Sequence, residues 1–279
     1  MKPPKRIAAI NDLSGASRCS LTTALPIISS MGINCCVMPT AILSNHTGYS
    51  TYFFEDCTSQ MSEFSKKWKE LDLKFDCIYS GFLGSESQIE TVEKFVSDFK
   101  DENTLIVVDP VMGDNGEIYT TYTEALCDEM KRLVAMADIV TPNITEACSL
   151  SGCDYFGETA DEDKLTDICK RICDLGAKSV VLTGCKGKKS ISNFVYDGKN
   201  TSMYSSELVP KYYTGTGDVF ASLIAGLATK GFSVFEATEF ATDFVHKITT
   251  YSYEIDMDIN EGVAYEGFLG LLSAIEDKK

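Results

Sequence analysis

A chain of 279 residues exceeds the usual single core of about 100 to 200 residues yet suits one large α/β unit, and 44% hydrophobic with 24% charged residues excludes a disordered, collagen-like or coiled-coil protein. Its 25 lysines and arginines against 41 aspartates and glutamates leave a net charge of −16, which makes nucleic acid and membrane surfaces poor partners. Eleven cysteines, odd in number and without a CxxC spacing, point to reduced thiols and a cytoplasmic location rather than a disulfide framework. Cys169 and Cys173 stand one helical turn apart, but the only histidines, His46 and His246, are remote in sequence, so no zinc ligand set forms. The apolar segment Ile7–Ile10 is too short for a signal peptide, and no run approaches the roughly 18 apolar residues of a membrane span.

Short apolar runs alternate with longer amphipathic ones, the rhythm of an α/β fold. Arg6–Ile10 reads as the first strand and Ser17–Met31 as the first helix, followed by strand Asn34–Ile42 and helix Ser59–Leu71. Then come strand Cys77–Ser80, helix Ser87–Lys100, strand Thr104–Val108, helix Thr123–Met136, strand Asp138–Thr141, helix Asp161–Leu175 and strand Ser179–Thr183. The strands are rich in Ile, Val and Cys, as parallel strands buried on both faces are, and several helices open with a Ser, Thr or Asp cap. After Thr183, Ile191–Tyr196 and Thr201–Ser205 flank Asp197 and Gly198 and predict a hairpin at the sheet edge. Helical spacing returns at Val219–Ala228, Ser233–Tyr251 and Glu261–Ile275. No linker, low-complexity tract or repeat interrupts the chain, so a single domain over residues 1–279 is expected.

In open α/β sheets the working residues gather beyond the carboxyl ends of the strands. Thr214-Gly215-Thr216-Gly217-Asp218 places two glycines immediately before a helix. Glycine lets successive amides aim at one point, and a helix N-terminus adds partial positive charge there, so the turn reads as an anion hole. Asp218 at its lip is placed to take the proton of an attacking alcohol while the amides stabilise a transferring phosphoryl group. The same helix end is expected to lower its basicity. Asp109-Pro110-Val111-Met112-Gly113-Asp114 ends a buried strand with two carboxylates around a Pro and Gly turn, which suits a hydrated magnesium ion near phosphates. Thr141-Pro142-Asn143 to Glu146 adds a third acidic loop, with Asn143 and Glu146 on a first helical turn. Singly, Asp218 also fits a helix cap and Asn143 with Glu146 a capping box; three acidic loops together favour chemistry. No GxxxxGK[ST] occurs, and Gly215 with Gly217 lacks the third glycine of a dinucleotide fingerprint.

In order and spacing these three loops resemble those of the ribokinase-like superfamily, over essentially the whole chain. Within it, Ser44-Asn45-His46-Thr47-Gly48-Tyr49 and Ser80-Gly81-Phe82-Leu83-Gly84-Ser85 resemble segments of pyridoxal kinases. The resemblance implies a three-layer α/β/α fold with a mostly parallel sheet and no separate lid. It further implies an ATP-dependent kinase acting on the 5′-hydroxymethyl of pyridoxal, pyridoxine or pyridoxamine, and a homodimer. It makes Asp218 the catalytic base and Gly215, Thr216 and Gly217 the anion hole. Asp114, Asn143 and Glu146 would hold the triphosphate and magnesium, Asp109 would join a cation site open to a monovalent ion such as potassium, and Thr183 would touch phosphate.

A pyridine ring needs a flat apolar contact and a few directional hydrogen bonds, which Phe82, Thr47 and His46 can supply. His46 equally fits a loop histidine satisfied by backbone. Where the relatives place serine after the first strand, Asn11-Asp12-Leu13-Ser14-Gly15 carries Asp12, a loop similar to that of hydroxymethylpyrimidine kinases. The loop Asp114–Tyr119, which covers ATP in the family, is short. The alternatives are a hydroxymethylpyrimidine kinase, an enzyme with both activities, and a non-catalytic vitamer sensor; an intact base beside an anion hole argues against the last.

Overall fold

The computed structural model describes residues 3–119, 122–157, 159 and 161–278. Its first half runs β1 (Arg6–Ser14), α1 (Ser20–Ser30), β2 (Asn34–Leu43), β3 (Phe54–Asp56), α2 (Thr58–Glu70), β4 (Cys77–Ser80), α3 (Glu86–Phe99) and β5 (Leu105–Val108). A small hairpin, β6 (Gly113–Asp114) and β7 (Glu117–Ile118), precedes α4 (Glu124–Val134), β8 (Ile139–Val140), α5 (Ile144–Ser151), α6 (Glu162–Asp174) and β9 (Ser179–Lys186). The chain closes with β10 (Ser190–Tyr196), β11 (Thr201–Glu207), α7 (Thr216–Thr229), α8 (Val234–Glu254) and the single turn α9 (Leu269–Leu272).

Nine strands form one sheet in the order β11-β10-β9-β8-β5-β4-β1-β2-β3. From β2 to β9 the neighbours are parallel, while β3 and the β10–β11 hairpin add antiparallel edges. Alternate residues of the central strands enter opposite cores. Ala8, Ile10, Ile78, Ile106, Val108 and Val180 pack with α2 to α6, whereas Ile7, Ala9, Cys77, Tyr79, Val107 and Val181 pack with α1, α7 and α8. Each fully buried aliphatic side chain contributes about 1.5 to 3 kcal/mol, which explains why these strands are apolar without alternation. Side chains of Ser85, Thr123, Asp161 and Ser233 cap α3, α4, α6 and α8 by accepting an amide three residues on.

Two expectations are corrected. The segment Asn11–Ser14 is strand, not loop, because β1 stays paired with β2 through Ser14 and Leu43, with a register shift between Asn11 and Leu13 that sets Thr40 and Ala41 opposite Asp12. The helix expected over Glu261–Ile275 shrinks to a 3₁₀ turn at Glu266–Phe268 and α9. Gly262 is left-handed at φ 79°, and Val263, Ala264 and Tyr265 are buried in succession, a pattern no amphipathic helix gives. Neither β3 nor β6–β7 was legible, each being too short to show a period.

The chain leaves β1 toward β2 on one side and returns to β4 on the other, so strand order reverses between β1 and β4. Ligands of open α/β sheets bind in the crevice outside the carboxyl ends at such a switch point.

Candidate functional site

Asn11 sits at that crevice and is almost fully buried. Its Nδ2 donates to Asp218 Oδ1 at 3.4 Å, and its Oδ1 accepts the amides of Asp12 and Phe82, each at 2.9 Å. One side chain thereby ties the ends of β1 and β4 to the start of α7.

The N-terminus of α7 carries two different glycines, Gly215 at its cap and Gly217 in its first turn. Gly215 adopts φ 81°, and a Cβ there would lie 1.8 Å from the Arg18 carbonyl oxygen, so only glycine fits against the segment leading into α1. A Cβ on Gly217 would meet nothing within 4 Å, so the glycine faces open space. Thr216 begins α7 and its hydroxyl donates back to Tyr213 O at 3.4 Å. Asp218, half-buried in the first turn, receives the Ser20 amide as well as Asn11. Burial and the nearby Asp12 charge nonetheless raise its carboxyl to about 7, outweighing those two donors. The net direction is opposite to the lowering expected from the helix end, since desolvation of the carboxylate exceeds the pull of the Ser20 and Asn11 donors.

A row of acids faces Asp218. Asp109 at the end of β5 accepts the Thr141 hydroxyl at 2.9 Å, and burial together with Asp218 raises it to about 8. Glu146 and Asn143 form a capping box on α5: Asn143 Oδ1 accepts the Glu146 amide at 3.0 Å and Glu146 Oε2 accepts the Asn143 amide at 2.8 Å. Both also reach outward. Glu146 Oε1 takes the Met112 amide at 3.1 Å, and Asn143 Nδ2 donates to Gly113 O at 2.8 Å. Burial, then Asp109 and Asp114, push Glu146 well above the carboxylate range. Asp114 projects from β6, where the Tyr212 hydroxyl hydrogen-bonds it. Thr183 lies beside Asn143 on β9, its amide donating to Pro142 O at 2.8 Å.

Asp109, Asp114 and Glu146 are hard oxygen donors without a lysine or arginine partner among the described residues, which suits a divalent cation. Among the described residues no three acidic, histidine or cysteine side chains gather into a ready-made metal cage. The row therefore fits a cation that arrives with oxygen ligands of its own, as magnesium on phosphates does.

Phe82 is half-buried with its ring edge-on to Tyr122 at 6.2 Å. Thr47 is exposed. His46 spends both ring nitrogens on backbone: Nδ1 accepts the Gly48 amide at 3.0 Å, which leaves Nε2–H to donate to Asn260 O at 2.9 Å. The ring thus pins its loop to the turn before Glu261. Asp12 is 7% exposed, and its Oδ2 accepts the Ser14 hydroxyl at 2.7 Å. Burial raises its carboxyl, opposed by the Ser20 and Ser14 hydroxyls.

A family model described as phosphomethylpyrimidine kinase matches residues 22–262. The chain belongs to this family. A homologue from Bacteroides thetaiotaomicron superposes with a TM-score of 0.95 at 37% identity, over 99% of this chain and 96% of its own. Its orthorhombic crystal form, with pyridoxal, gives 0.92 at 36% identity over 98% of each chain. Pyridoxal kinase from Lactobacillus plantarum gives 0.89 at 27% identity, again over 98% of each. Pyridoxine kinase of Bacillus subtilis is 31% identical over 188 residues, 65% of this chain and 66% of that protein. Alignments with the curated relatives span about a third to two thirds of those proteins' lengths. The ribokinase-like resemblance drawn from the loops holds in family and in fold.

In this member of the phosphomethylpyrimidine kinase family, several site residues escaped the sequence. Ser20 was hidden inside an expected helix, but its φ of 49°, uncommon outside glycine, turns its amide to Asp218 and its hydroxyl to Asp12. Asn11 and Tyr212 carried no local signal beyond their place next to Asp12 and the glycine turn.

Proposed function

We propose that this chain is a kinase transferring the γ-phosphoryl of ATP to the 5′-hydroxymethyl of pyridoxal, pyridoxine or pyridoxamine. The observation that carries the proposal is Asp218, with its carboxyl raised to about 7, beside a glycine turn whose Gly217 faces open space. Asp218 takes the proton of the substrate hydroxyl, and a base of that strength is half ionised near neutral pH. Amides of Gly215, Thr216 and Gly217, with the α7 dipole, stabilise the charge on the transferring phosphoryl. Asp114, Asn143, Glu146 and Thr183 orient the nucleotide phosphates. Asp109, Asp114 and Glu146 would hold magnesium, which when bound neutralises phosphate charge.

Phe82 packs against the ring of the vitamer, Thr47 bonds a ring substituent, and His46 acts by holding the loop that carries Thr47. Asp12 meets a ring nitrogen or amino group with the carboxylate valence left over from Ser14 and Ser20. Pyridoxal in the Bacteroides homologue supports this substrate class. The proposal extends to a single-domain, cytoplasmic homodimer, the assembly that the resemblance implies.

Asp12 and the family description favour a second reading, hydroxymethylpyrimidine as substrate or co-substrate. A coupled assay of ADP release with pyridoxal, pyridoxine, pyridoxamine and hydroxymethylpyrimidine tests both. Highest kcat/KM among the three vitamers supports the first. Turnover of hydroxymethylpyrimidine alone establishes the second, and no turnover of any overturns both.

A further inference from the structure

Helix α5 ends at Gly152 in the left-handed conformation (φ 68°, ψ 29°), and the Cys153 amide donates back to Cys148 O at 3.1 Å. This closure brings the residues at its two ends into side-chain contact, and both are cysteines. The Cys148 thiol hydrogen-bonds the Cys153 thiol and also receives the Phe156 amide, so the turn 152–156 folds around one sulfur. Ser151 Oγ donates to Cys153 Sγ at 3.3 Å, orienting the second. Cys148 is buried, Cys153 is half-buried, and both are free thiols.

The same turn reaches the β6–β7 hairpin. Tyr155 rests its ring on Gly116, where an added Cβ would lie 2.6 Å from Tyr155 Cε1. The Gly116 amide in turn donates to Thr145 Oγ1 of α5 at 2.9 Å.

We propose that Cys148 and Cys153 form a reversible disulfide, made by exchange with a low-molecular-weight disulfide, that stiffens the 152–156 turn and the hairpin resting on it. The half-buried Cys153, as thiolate, attacks the small disulfide, breaking its S–S bond and releasing one thiolate. Cys148 then gives its proton to solvent, attacks the Cys153 sulfur and expels the second thiolate. Two protein thiols are oxidised and one small disulfide is reduced to two thiols. The 3.1 Å backbone hydrogen bond and the contact between the two thiols already bring the sulfurs together, as the bond requires.

The test exposes the full chain to oxidised glutathione, followed by trypsin without reduction. Trypsin releases residues 133–164 as one peptide containing both cysteines. That peptide should lose the mass of two hydrogens, regain it with dithiothreitol, and show no loss in Cys153→Ser or Cys148→Ala. Hydrogen exchange over 112–118 should slow on oxidation. A lasting glutathionyl adduct on Cys153, a disulfide formed elsewhere instead, or no reaction overturns the proposal. A disulfide that leaves exchange at the hairpin unchanged overturns its coupling to that loop.

Discussion

Asn11 Nδ2 stands 3.4 Å from Asp218 Oδ1, while the same side chain accepts the amides of Asp12 and Phe82. The Asp218 carboxyl is therefore oriented by the residue that also fixes the Phe82 backbone. Asn11 holds the Asp218 carboxyl down against burial, which pushes it up. Replacing Asn11 by Ala should move the acidic limb of the pH–rate profile to higher pH and cut kcat about tenfold, at a stability cost of about 1 to 3 kcal/mol from the unpaired amides. Purely structural damage would lower the melting temperature without moving that limb.

For wild-type protein, turnover should rise with pH through about 7, as Asp218 gives up its proton. Asp218→Asn, nearly isosteric but unable to take a proton, should lose about 10²-fold or more in kcat with vitamer affinity little changed. Near-normal turnover in that variant would remove Asp218 from the chemistry.

The two glycines of the turn should fail differently. Gly217→Val places its side chain in open space, so the protein should melt normally while kcat falls, because a β-branched side chain then stands at the turn proposed to receive the phosphoryl group. Gly215→Ala drives a Cβ onto the Arg18 carbonyl oxygen at a left-handed position and should lower the melting temperature. Normal turnover by Gly217→Val would show that this turn does not receive the phosphoryl group.

Asp109 should make stability fall with rising pH. Its carboxyl titrates at 3.8 when unperturbed and about 8 in the fold. Between these values the native state keeps a proton that the unfolded chain has released, so the contribution is full below the lower value and is lost toward the upper one. Melting temperature measured without divalent cation should therefore drop from pH 5 to pH 8, less steeply in Asp109→Asn. Magnesium should restore more stability at pH 8 than at pH 5. A slope identical in Asp109→Asn would assign it to other groups.

Asp12→Ser should shift preference toward pyridoxal and cost amino-bearing substrates about 1 to 3 kcal/mol in relative kcat/KM, the range for a charged hydrogen bond. Unchanged ratios across pyridoxal, pyridoxamine and hydroxymethylpyrimidine would leave Asp12 as a brace for Ser14 and Ser20 alone.

The sequence by itself determined the sheet apart from its edge strand β3, its layers and the positions of the acidic loops, because periodicity and strand-end motifs are local consequences of burial on two faces and of helix capping. Asp109, Asn143, Glu146 and Asp218 were legible since each stands at a strand end or helix start marked by Pro or Gly. Only the tertiary structure decided that Asn11 would cross to Asp218, that Ser20 would turn its amide inward, and that both His46 nitrogens would go to backbone. Those contacts join segments about 200 residues apart or depend on a strained φ. The raised carboxyl of Asp218 was likewise a tertiary outcome. Both the donors that lower its carboxyl, the Ser20 amide and Asn11, and the burial that overrides them come from chain segments that only the fold brings near.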